Sequence, residues 1–96
     1  MLEEFVARKP DDAFSRYGLA MECMNSGDTT AADAQFRTLL ERNGGYVPAY
    51  LMYAQFLARQ ARPAEAKQVL TSGIAMAAQN GDAHARSEME ALLSEL

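Results

Sequence analysis

Residues 16–36 read RYGLAMECMNSGDTTAADAQF, and residues 50–70 read YLMYAQFLARQARPAEAKQVL. Laid over one another at a shift of 34 residues, they put Leu19-Ala20 on Tyr53-Ala54, Cys23 on Leu57, Ala32 on Ala66 and Phe36 on Leu70, and Leu40 falls on Ile74 just beyond. Small side chains lie on small ones and large on large. A fixed period of this length marks stacked supersecondary units, each unable to bury its apolar face alone. The same shift takes Gly44 back to Pro10 and sets Leu2, Phe5 and Val6 on Phe36, Leu39 and Leu40, so the first nine residues are a truncated copy.

Between the apolar runs the punctuation is that of helices and tight turns, and no run alternates as a strand would. The first helix is predicted from about Ala13 to Asn25, with Asp12 as its N-cap and Ser26-Gly27 closing it. Asp28 caps a second helix that runs to about Arg42 and stops at Asn43-Gly44-Gly45. Pro48 stands in the first turn of a third helix that reaches about Gln60. Pro63 begins a fourth, where a missing N–H costs no intrahelical bond. That helix ends near Asn80-Gly81, and Asp82 caps a last one whose Ala85, Met89, Leu92, Leu93 and Leu96 share an arc of about 100°. The fold class is all-α.

Paired helices that approach closely need a small side chain at the crossing and bulky ones beside it. Ala20 and Ala32 meet that need in the first unit, Ala54 and Ala66 in the second, with Phe36 and Leu70 one turn later; Gly73 admits the next element. This spacing resembles the tetratricopeptide repeat (TPR). In the first unit the likeness runs through Leu19-Ala20, Cys23, Gly27-Asp28, Ala32 and Phe36, and in the second through Tyr50, Tyr53-Ala54, Leu57, Ala66 and Leu70. Pro10 matches the proline that closes such a repeat. Departures are Arg16 in place of a large apolar residue, Gly44 and Ala78 in place of the proline, and Ala61-Arg62 in place of Gly-Asp.

The chain is accordingly similar to small bacterial-type two-repeat members of that family. The expected organisation is one domain over 1–96: a partial helix at 1–10, repeats at 11–44 and 45–78, and a capping helix at 79–96. The resemblance implies antiparallel helix-turn-helix repeats stacked as a short right-handed superhelix, a C-terminal solvating helix and a concave binding face.

Composition narrows the function. Ninety-six residues fit one small core, and 49% apolar with 23% charged describes a folded, soluble chain. Nine Lys and Arg against thirteen Asp and Glu give a net charge of -4, which disfavours nucleic acid and anionic lipid. A lone Cys23 excludes an internal disulfide and suits a reducing compartment. MLEEFVARK lacks the basic and apolar regions of a signal peptide, and no stretch is long enough to span a bilayer, so a cytoplasmic location is expected.

No motif carries catalysis. Cys23 sits at a core position equivalent to Leu57 with no His nearby, and is read as buried filler rather than a nucleophile. His84 lacks companion ligands and is read as a solvated surface residue. Asp11-Asp12 and Glu3-Glu4 lie where a helix dipole welcomes acids. Asn80-Gly81-Asp82 lacks the alternating ligands of a calcium loop and is a turn. Neither an enzyme, a metal nor a cofactor is expected.

The positions that the repeat core leaves free are more informative. Phe14, Tyr17, Met21 and Met24 recur at helical spacing in the first helix; 34 residues on stand Pro48, Leu51, Gln55 and Ala58, and Arg59 matches Asn25. Two readings of this stripe stand side by side. It is covered by the N-terminal segment around Leu2 and Phe5, or it is an open, adaptable peptide-binding surface made by Phe14, Tyr17, Met21, Met24, Leu51, Gln55 and Arg59. The expected function is a non-enzymatic interaction module that holds a peptide or helix of another protein in its concave groove. The alternative is a homo-oligomerising assembly protein, a homodimer for instance, that uses the same face. Family members that grip a C-terminal carboxylate carry Lys and Asn on these helices. Tyr17 and Met21 stand there here, so chaperone-tail binding is not expected.

Overall fold

The computed structural model describes residues 12–96, all of whose regular elements are α-helices. They are α1 (Ala13–Asn25), α2 (Thr29–Arg42), α3 (Val47–Arg59), α4 (Pro63–Gln79) and α5 (Ala83–Glu95). All five agree with the sequence reading to within a residue or so at either end. The chain divides between Gly44 and Gly45 into two compact units. None of the described helices is long and apolar enough to cross a membrane.

In the first unit, α1 and α2 form a helical hairpin. Asp12 begins α1 by accepting a hydrogen bond from the Ser15 N–H at 3.2 Å, and Asp28 begins α2 by accepting one from Ala31 at 3.1 Å. Each carboxylate satisfies an amide that has no intrahelical partner and lies at the positive end of the dipole. Leu19, Ala20, Ala32, Phe36 and Leu39 are buried, the two alanines completely. Arg16 is buried as well, and its Nη1 donates to Gln35 Oε1 across the hairpin at 2.9 Å. The departure noted at Arg16 is thus accommodated by a polar partner on the opposite helix.

The second unit adds a helix: α4 packs on α3, and α5 packs chiefly on α4. Proline stands in the first turn of both α3 and α4. Asp82 caps α5, accepting from Ala85 N–H at 3.0 Å. The core holds Tyr50, Tyr53, Ala54, Phe56, Leu57, Ala66, Leu70, Ala77 and Met89, with the Tyr53 and Phe56 rings stacked at 6.3 Å. Burial removes the Tyr50 phenol from water and raises its pKa above the usual 10.0. Gly73 is where the three helices meet. A Cβ there would stand 2.5 Å from Tyr50 Cβ and 2.6 Å from Met89 Sδ, so only glycine allows the approach.

All three hairpin turns close alike. The amides of Asp28, Arg62 and Asp82 donate to the carbonyls of Cys23, Leu57 and Ala77 at 3.0, 2.9 and 2.8 Å. Those of Gly27, Ala61 and Gly81 donate to Met24, Ala58 and Ala78 at 3.2, 3.1 and 3.2 Å. This is the Schellman pattern, which puts its middle residue in the left-handed region. Gly27 and Gly81 adopt φ of 85° and 72°, and Ala61 adopts 58° despite its Cβ. The replacement of Gly-Asp by Ala61-Arg62 therefore leaves the turn intact and adds strain to it. Arg62 cannot cap α4; it forks onto Glu65 instead, Nε to Oε1 at 3.1 Å and Nη2 to Oε2 at 2.6 Å.

One expectation is corrected. Cys23 is half-buried, not a fully buried filler like Leu57. On α5 only Met89 is buried; Ala85, Leu92, Leu93 and Leu96 are half-buried, as is Ile74 beneath them on α4.

Candidate interaction surface

At 100° per residue, Leu19, Ala20, Ser15 and Arg16 occupy the buried side of α1, and Phe14, Tyr17, Met21 and Met24 form a stripe about 80° wide beside it. Phe14 is 67% exposed, and among the described residues it is the one large hydrophobic side chain in that class. Tyr17, Met21 and Met24 are half-buried. The stripe thus lies on the shoulder of the core.

On α3 the corresponding shoulder holds Leu51 and Gln55, both half-buried, and Arg59, exposed. They fall four residues apart, within about 80° of arc. Helix α1 brings together the four residues assigned to the first unit, and α3 the three assigned to the second. Leu2 and Phe5, the cover considered above, lie outside the described residues.

Elsewhere the chemistry is sparse. His84 is 87% exposed at its side chain and pairs with Glu88 at 2.7 Å. Arg37 pairs with Asp33 at 2.8 Å one turn away on α2. Among the described residues no group of three or more His, Cys, Asp or Glu side chains could hold a metal ion.

One feature went unanticipated. A groove of about 460 Å³ runs between α4 and α5, lined by Thr71, Ile74, Glu90, Leu93 and Ser94. Leu93 belongs to the apolar arc that the sequence predicts for the last helix. The available signal was the pair Thr71 and Ser94, short hydroxyls set beside apolar positions on facing helices.

Comparison with known proteins bears on this arrangement. Residues 24–92 match the family model of the tetratricopeptide repeat. A TPR repeat-containing protein of Pseudomonas aeruginosa is 32% identical over 97 residues, an alignment covering 99% of this chain and 90% of the relative. The crystal structure of a tetratricopeptide repeat domain protein from Salinibacter ruber superposes with a TM-score of 0.81 at 28% identity, covering 88% of this chain and 93% of that one. The solution structure of a protein from Bordetella parapertussis gives the same TM-score at 26% identity, with 98% and 82% covered.

Proposed function

The chain belongs to the tetratricopeptide repeat family, whose repeats are generally protein–protein interaction modules on non-enzymatic scaffolds, and from that premise we propose that it binds a peptide or helix of another protein. The binding surface is the α1 stripe of Phe14, Tyr17, Met21 and Met24 together with Leu51, Gln55 and Arg59 of α3, in the concave groove that the family resemblance implies. The repeats are 11–44 and 45–78, preceded by a truncated copy and closed by the helix of 79–96. The partner is a protein rather than nucleic acid or membrane, met in the cytoplasm, and no cofactor or metal takes part.

One observation carries this reading. The stripe residues stand outside the packed core, yet they are large, apolar and partly accessible, with Phe14 at 67%. Large apolar side chains at the edge of the core that keep accessible surface can anchor a desolvated contact, and such anchors give interfaces most of their affinity. Arg59 would orient an acidic group of the ligand.

Affinity purification of the full chain with mass spectrometry of what it retains tests the reading, followed by Tyr17→Ala and Leu51→Ala. Each should weaken capture by about 1–2 kcal/mol while leaving the fold cooperative, and Glu88→Ala, on the outer side of α5, should not. Full capture by both variants refutes the assignment. Self-association through the same face is the alternative, and it predicts a dimer in sedimentation equilibrium that Tyr17→Ala dissociates.

A further inference from the structure

We infer that the groove between α4 and α5 is a second docking site, one that takes a partner segment carrying an apolar side chain flanked by Lys or Arg. It lies wholly within the second unit and shares no residue with the α1 and α3 stripes, so it stands whether or not they bind anything. Its floor is Ile74 and Leu93, both half-buried, and its rim is Thr71, Ser94 and Glu90, all exposed. A volume of about 460 Å³ lies in the range of functional pockets and holds a few side chains.

The rim decides what those side chains are. Thr71 Oγ1 donates its proton to the Lys67 carbonyl at 2.9 Å, and Ser94 Oγ donates its own to the Ala91 carbonyl at 2.7 Å. A hydroxyl has one proton to give, so both present only lone pairs to the groove. Glu90 adds two further acceptor oxygens and a negative charge. The lining side chains therefore offer no donor to an occupant. An acidic or carbonyl-bearing group would meet acceptors alone, whereas an ammonium or guanidinium can donate to these acceptors while its aliphatic stem lies along Ile74 and Leu93.

The neighbouring cations do not fill this role. Arg86 reaches Glu90 at 3.5 Å, with both side chains about half exposed, a pairing that contributes little and is readily exchanged. Lys67 is exposed one turn before Thr71 and is not among the lining residues. The chain's net charge of -4 further favours encounter with a basic segment.

The test uses the isotopically labelled full chain and three synthetic amphipathic helical peptides of equal length: Leu with Arg, Leu with Glu, and Ala with Arg. The Leu/Arg peptide should shift the NMR amide signals of Thr71, Ile74, Leu93 and Ser94, and the other two should not. Glu90→Gln should weaken that binding about twofold to fivefold, the range for an ion pair at a partly exposed site, without changing the thermal melt. Equal binding of the Leu/Glu peptide, shifts confined to α1 or α3, or indifference to Glu90→Gln overturns the inference. A dimer of the chain alone that Leu93→Glu dissociates overturns it too, because the occupant is then a second copy.

Discussion

Replacing Gly73 with alanine sets two effects of opposite sign against each other. Gly73 lies inside α4, where alanine is favoured over glycine by about 1 kcal/mol on helix propensity. Against this stands the space available. The new Cβ would lie 2.5 Å from Tyr50 Cβ, 2.6 Å from Met89 Sδ and 2.9 Å from Tyr50 Cγ. Carbon atoms in contact rest at about 3.5–4.0 Å, so an opening of about 1 Å is required. Met89 can yield through its flexible thioether, but the Tyr50 Cβ is fixed to the α3 backbone and would persist in any residue but glycine. Relief therefore means moving α3 away from α4 in the best-packed part of the second unit. Overpacking of this kind costs about 1–3 kcal/mol, and three simultaneous contacts to two residues place it in the upper half of that range. The net expectation is destabilisation by about 1–2 kcal/mol, or about 4–15 °C in Tm for a domain of this size. The assay is urea denaturation of the full chain, with Ala75→Gly on the exposed side of α4 measuring the propensity effect in the same helix. A midpoint raised by Gly73→Ala would refute the close approach of the three helices.

Ala61→Gly should stabilise by about 0.5–1 kcal/mol, since it relieves a left-handed alanine while adding glycine's freedom to the unfolded chain; a lowered urea midpoint would contradict it. Ala54→Leu should cost about 1–3 kcal/mol, because Ala54 has no exposed surface and no room for added volume; an unchanged midpoint would remove the helix register. Tyr50 has a raised pKa in the folded state, so the unfolded chain loses its proton first as pH increases. Its contribution is complete below pH about 10, the unfolded value, and declines above it. Urea midpoints measured from pH 8 to 11 should fall less steeply in Tyr50→Phe than in the parent, and parallel curves would show that the phenol does not titrate against burial.

What the sequence disclosed and what it hid follow from the range of the forces involved. Helix starts at Asp12, Asp28 and Asp82 were legible because a cap is a contact over three residues of chain. The turn at Ala61-Arg62 looked like a departure, yet it closes with the same two hydrogen bonds as its glycine counterparts. Packing of α3 on α4 outweighs a local preference worth about 1–2 kcal/mol. Burial depth was less legible. Cys23 and Leu57 share a register but not an exposure, because periodicity tells which side of a helix faces inward and not how much covers it. The α4–α5 groove was hidden for a related reason. It is a gap left by side-chain volumes on two helices, and no single helix carries its pattern.

The internal repeat separates what the fold requires from what it leaves free. At several packing positions 34 residues apart size is preserved, as for Ala20 with Ala54, Ala32 with Ala66 and Phe36 with Leu70, each without exposed surface, whereas buried Leu39 stands against Gly73, where a third helix comes close. Even Arg16 and Tyr50, unlike in chemistry, are both buried and both long. On the shoulders of α1 and α3 the pairing breaks down. Tyr17 stands opposite Leu51, Met21 opposite Gln55, Met24 opposite Ala58 and Asn25 opposite Arg59. Two units under the same folding constraint have diverged there in size, polarity and charge, and these are the partly or fully accessible positions. The packing of each hairpin does not prescribe the side chains at these accessible positions. The proposed binding residues are thus aromatic and Met-rich on α1, and on α3 they add an amide and a cation to Leu51.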